Sequence, residues 1–261
     1  MSEDFRFGFY GLCVLFFGRV WLWHLSPAGS SFPGAKGFGW YFRFLTFWSL
    51  TLQLASFGLA ALDSLREGRR ARERALKAPQ PTVDADPSQL ATSGGLPAAS
   101  DGTPLEVWAD FAACAVFPLS NVVTALYYGI ALTTSKRALM EKPELRRPAW
   151  LDVSIHLLTA LAAWADLLLA RRRSFQGSSR TAALGVGGAY VVWMAVLYAV
   201  TGRFPYPVLN LGNPAQSAAS FWFAGSLLII LFFQLGRSAR ALLDGAPAPS
   251  PPKNGKEDKD A

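Results

Sequence analysis

Six stretches of this chain are nearly free of charge: Phe7–Ser26, Trp40–Asp63, Val107–Leu132, Val153–Leu169, Ala182–Thr201 and Ala218–Leu235. A helix needs about 20 apolar residues to cross the hydrocarbon core of a bilayer, and these windows run from about 17 to 26. Transmembrane β-barrels are built from segments of about ten residues with strict in/out alternation, and no such segments occur. A soluble helical core needs polar outer faces, which most of these windows lack. The expected fold class is therefore all-α: a polytopic membrane protein with a bundle of six transmembrane helices in residues 1–245.

Two windows carry polar residues in register. In the second, Arg43, Thr46, Ser49 and Gln53 follow at spacings of three, three and four, which stacks them on one helix face. In the fourth, beginning near Leu151, Asp152, His156, Thr159, Ala163 and Asp166 are spaced four, three, four and three. Lipid gives no reason for such stripes, so both faces are expected to look into the bundle or a cavity. The third window adds Asn121, Thr124 and Tyr128, with Pro118 marking a tolerated kink. The fifth opens with Gly185-Val-Gly-Gly188, which permits close helix contact.

Between the windows the pattern changes. Pro27–Gly39 reads as a short return connection, and SLREGRRARERALK as a basic amphipathic extension at the headgroups. Residues 78–104 are dense in Pro, Ser, Gly and Asp without periodicity, the signature of a disordered linker, and the tail 246–261 reads the same way. The basic stretch 134–150 is expected at the interface. Glu3, Asp4 and Arg19, with no small-residue cleavage site, make the first window a retained helix rather than a signal peptide. His24 and Arg19, near its far end, either snorkel to the interface or face a site.

Composition agrees with the pattern: 51% of residues are hydrophobic, and 16% are charged against roughly 25% in soluble domains. The formal net charge of +7 does not point to nucleic acid, because the basic residues flank the apolar windows as membrane anchors do. With both termini cytoplasmic, 16 Lys and Arg lie on that side and 9 on the other, so positive-inside favours this orientation. Cys13 and Cys114, both inside apolar windows, supply neither a disulfide scaffold nor a metal cluster.

Candidate chemistry comes from parity. Helices two and four of a six-helix chain enter the membrane from the same side. Thr46 lies about six residues into its window and His156 about five, so at 1.5 Å per residue both sit roughly 8–9 Å below one surface. A threonine hydroxyl becomes a nucleophile when a base removes its proton, and neutral histidine suits that task. The structural alternative is a threonine bonded to its own helix carbonyl beside a histidine that knits the bundle. Asp152, one turn before His156, either orients the imidazole or caps the helix. Arg43 either holds a carboxylate or snorkels to phosphate. For an oxyanion donor, Tyr128, Asn121 and Arg43 are the candidates.

At these residues the chain resembles the androgen-induced gene 1 family. The resemblance is carried by FRFLTFWSLTLQ, FPLSNVVTALYYGI, the run from Pro148 to His156, and YVVWMAVLYAVTGRFPYPVL, and it covers roughly residues 8–235. It implies an intramembrane threonine hydrolase of fatty acid esters of hydroxy fatty acids, with Thr46 matching the nucleophile and His156 the base. No metal or soluble cofactor is implied. The family's helix-four motif usually reads Asn-His-x-x-His-Thr, where this chain has Asp152, Val153, His156 and Leu157, and Asp166 stands in place of a deeper glutamate. The expected function is hydrolysis of an amphipathic lipid ester within the bilayer, without nucleic acid, in the endoplasmic reticulum or another endomembrane, or in the plasma membrane. The alternative is a non-enzymatic lipid-binding or transport protein.

Overall fold

The computed structural model describes residues 3–77, 103–133, 147–170, 172–210 and 212–245. The expected linker up to residue 102, most of the basic loop and the tail from 246 lie outside them. Six long helices, α1 Glu3–Trp23, α2 Leu45–Lys77, α3 Pro104–Thr133, α4 Ala149–Leu169, α5 Gly177–Thr201 and α6 Pro214–Leu243, are each long and apolar enough to cross a membrane. Among the described residues there is no strand. The chain is an all-α, multi-pass membrane protein.

Local chemistry sets several boundaries. The Thr103 hydroxyl accepts the Glu106 amide at 3.2 Å with Pro104 in the first helical position, and Asn213 with Pro214 does the same for α6. Gly202, at φ 71°, ends α5 and donates its amide to Tyr198.

Helix α2 starts later than the hydropathy pattern predicts. Trp40–Arg43 is a 3-10 turn, Phe44 is extended, and the α-helix begins at Leu45. The cause is competition for carbonyls. The Phe42 carbonyl accepts the indole N–H groups of Trp48 (2.6 Å) and Trp193 (3.0 Å), and the Arg43 carbonyl accepts the Tyr190 hydroxyl at 2.7 Å. Arg43 is thereby removed from the helical stripe. At its other end α2 continues unbroken to Lys77. Its 33 residues span about 50 Å, well beyond a hydrocarbon core of about 30 Å, so the basic end projects from the membrane.

Helix α3 is the central post, packed against α2, α4, α5 and α6. Its most apolar window is 61% buried, against 11% for α6 at the periphery. Ser49 and Gln53 face inward as expected, and the Gln53 side chain bonds Ser120 of α3. On α4 the stripe His156, Thr159, Ala163 and Asp166 is likewise buried.

One end of the bundle is fastened by buried ions. Arg173 pairs with Asp166 at 2.5 Å, Tyr10 of α1 donates to Asp166 at 2.8 Å, and Asp110 of α3 accepts the Ser174 amide at 3.0 Å. Arg6 pairs with Glu67 at 2.8 Å, tying α1 to α2. Arg173 and Arg6 are therefore structural groups, whereas the sequence pattern alone made them anchors at the membrane surface.

Candidate functional site

The opposite end of the bundle brings together Thr46, Asp152 and His156 of the two stripes. Thr46, the second residue of α2, is half-buried at the mouth rather than a turn and a half inside it. Its first turn is held by aromatic hydroxyls: Tyr206 accepts the Leu45 amide at 2.9 Å, and Tyr206 and Tyr190 lie 3.3 Å apart. A helix start has amides without intrahelical acceptors, and a buried phenol satisfies one of them here.

His156 reaches the same place from α4. It lies in a π-helical turn, Ser154–Leu158, inserted in that helix. Such a turn shifts amide bonding from the fourth to the fifth preceding carbonyl and leaves one carbonyl over. The Asp152 carbonyl, four residues back, faces His156 Nδ1 at 3.0 Å, and the Asp152 carboxylate lies 3.3 Å from the same nitrogen. Two oxygens on Nδ1 assign the proton there, which leaves a lone pair on Nε2. Nε2 lies 3.5 Å from the Thr46 hydroxyl. Tyr127 of α3 stacks flat on the imidazole, ring centroids 3.6 Å apart at 7°, and its hydroxyl bonds the Asp152 carboxylate. Thr124 bonds the His156 carbonyl. The ring is thus held in plane, tautomer and depth by residues from two helices.

Thr46 lines a small cleft together with His24, Tyr41, Phe44, Phe47, Leu50, Arg147 and Ile155, and His156 stands behind Thr46, buried. His24 is 3% exposed; its Nδ1 faces the Val20 carbonyl at 2.9 Å, and burial pushes its pKa down to about 4. It is a neutral wall of the cleft at physiological pH. The chain over the mouth, residues 24–44, is tied down by Tyr41, which donates to the Gly29 carbonyl at 2.8 Å. At Gly29 a Cβ would lie 2.3 Å from the Trp23 carbonyl oxygen, so no other residue fits this close approach.

The other sequence candidates are placed differently. Arg43 donates to the Pro33 and Gly34 carbonyls at 2.9 and 2.8 Å and so braces the mouth. Asn121 is buried between Phe117, to whose carbonyl it donates at 2.8 Å, and Trp164, whose indole it accepts at 2.9 Å. Its amide is occupied in joining α3 to α4. Tyr128 packs edge-on to Tyr127 and is not among the cleft residues. Sequence reasoning missed Tyr127 and Arg147. Tyr127 stands one residue from the Asn121, Thr124, Tyr128 stripe, and Arg147 reads as one more basic flank.

A family model described as FAR-17a/AIG1-like protein matches residues 102–238. The chain belongs to the FAR-17a/AIG1-like family. This is the androgen-induced gene 1 resemblance, now independently found. The matched stretch includes Tyr127, Arg147, Asp152 and His156, whereas Thr46 lies before it and is tied to them by geometry. No curated protein and no solved structure matches the chain.

Proposed function

We propose that this member of the FAR-17a/AIG1-like family is an intramembrane hydrolase of lipid esters, with fatty acid esters of hydroxy fatty acids as the substrate class. The observation that carries the reading is the approach of the Thr46 hydroxyl to His156 Nε2 at 3.5 Å, with Asp152 behind Nδ1. Nucleophile, base and orienting carboxylate at these separations are the constellation of acyl transfer.

Thr46 Oγ attacks the ester carbonyl carbon while His156 Nε2 takes the hydroxyl proton. The tetrahedral oxyanion collapses, the bond to the alcohol oxygen breaks, and the imidazolium returns its proton to that oxygen. An acyl-threonine and a free hydroxy fatty acid result. Water then attacks the acyl-threonine, giving a proton to Nε2, and collapse releases the fatty acid and restores the threonine hydroxyl. Asp152 holds the proton on Nδ1 throughout and stabilises the transient imidazolium.

The oxyanion needs a donor. The amides of Leu45, Phe47 and Trp48 bond the Tyr206 hydroxyl and the Phe44 carbonyl. The Thr46 amide, at the positive end of α2, is the remaining donor of that turn and takes this role in place of Arg43, Asn121 or Tyr128.

Purified wild type, Thr46→Ala and His156→Ala in detergent test the reading on long-chain lipid esters. Each variant should lose turnover by roughly a thousandfold or more, and a fluorophosphonate should label Thr46. Full turnover by either well-folded variant would sink the mechanism, as would labelling elsewhere.

A further inference from the structure

Among the described residues, the cleft is lined by one cation with no carboxylate beside it. Arg147 is half-buried among His24, Tyr41, Phe44 and Thr46. Among the described residues no carboxylate lies within ion-pair distance of its guanidinium, although Arg6, Arg173 and Arg240 each have one. Its guanidinium carbon stands 5.8 Å from the centroid of the Phe44 ring, which carries Arg43 at 5.3 Å. Arg43 is anchored to two backbone carbonyls and does not line the cleft, whereas Arg147 does and is the cation placed to offer its donors there among the described residues.

A half-desolvated guanidinium beside a nucleophile is costly to keep empty and well suited to a carboxylate, which it binds by two parallel hydrogen bonds. The other cleft walls, Phe44, Phe47, Leu50 and Ile155, are apolar. A ligand that satisfies both has a carboxylate at one end and a long hydrocarbon chain behind it. We propose that Arg147 is the carboxylate-binding residue of this site and makes it select esters that carry a free carboxylate over neutral esters. The proposal rests on the hydrolase reading for its catalytic consequence, but its binding consequence stands without turnover.

Binding is measured first, by thermal shift in maltoside micelles free of phosphate, with a hydroxystearic acid and its methyl ester as probes. Wild type should bind the acid roughly ten- to a hundredfold more tightly, the range for a hydrogen bond to a charged group. Arg147→Gln should bind the two alike, and Arg147→Lys should regain part of the preference. Turnover is then compared on a palmitoylated hydroxystearic acid and its methyl ester, where Arg147→Gln should lose the wild-type preference for the acid through KM rather than kcat. Equal binding of acid and methyl ester by wild type overturns the proposal and leaves Arg147 as a ligand for headgroup phosphate. A preference that survives Arg147→Gln overturns it too. Selective acid binding with no hydrolysis of either ester upholds the carboxylate site and sinks the hydrolase reading instead.

Discussion

At the scale of single residues, the two histidines of this chain have opposite assignments, and only surroundings distinguish them. His156 has a carboxylate behind it and a hydroxyl in front, while His24 has a backbone carbonyl and the rings of Tyr41 and Phe47. His24 makes a pH prediction. Its folded pKa of about 4 lies below the ordinary 6.5, so the unfolded chain binds more protons between those values. Stability from this residue is complete above about 6.5 and is lost as pH falls toward 4, by about 3 kcal/mol over the window. The apparent Tm of wild type should therefore fall more steeply across that window than that of His24→Gln. Parallel curves would show that His24 is not the titrating group. Spacing puts His156 on a polar stripe and His24 near the far end of the first window, but it does not encode which atoms face a ring nitrogen.

At the scale of elements, the site depends on two departures from the regular helix. The late start of α2 puts Thr46 in its first turn, and the π turn in α4 gives His156 its place over Asp152. Neither is legible in hydropathy, because both are decided by bonds from distant residues: Tyr190, Trp193 and Tyr206 at α2, Tyr127 and Thr124 at α4. The far end of α4 is set by charge. Asp166→Ala leaves the buried Arg173 only the more distant Asp110 carboxylate, at 3.9 Å, and should cost about 3 kcal/mol. A thiol-reactive dye that reports exposure of the buried Cys13 and Cys114 measures it as a fall in apparent Tm. An unchanged Tm would mean that the fastening at that end contributes little.

At the scale of the whole molecule, six spans place the connection before α5 and the connection after it on opposite sides. Cysteines introduced at the exposed positions Gln176 and Gly212 should therefore react with a membrane-impermeant maleimide from opposite faces, and one at Ser30 from the same face as Gly212. Positive-inside predicts that the Gln176 face is the cytoplasmic one. Labelling of all three from one face would break the six-span topology. That topology follows from hydropathy and length alone, because a span in lipid must satisfy its own backbone within one long apolar helix. The inward faces of α2 and α4 follow from spacing for the same reason, since polar groups in lipid must turn toward protein. The sequence could thus bring Thr46 and His156 to one end of the bundle. It could not say that Arg43 would brace a loop while Arg147 filled the cleft, nor that Asp166 and Arg173 would pair inside the bundle. Those outcomes turn on which partner stands within about 3 Å of each charge, and contacts between residues far apart in the chain exist only once the helices have packed.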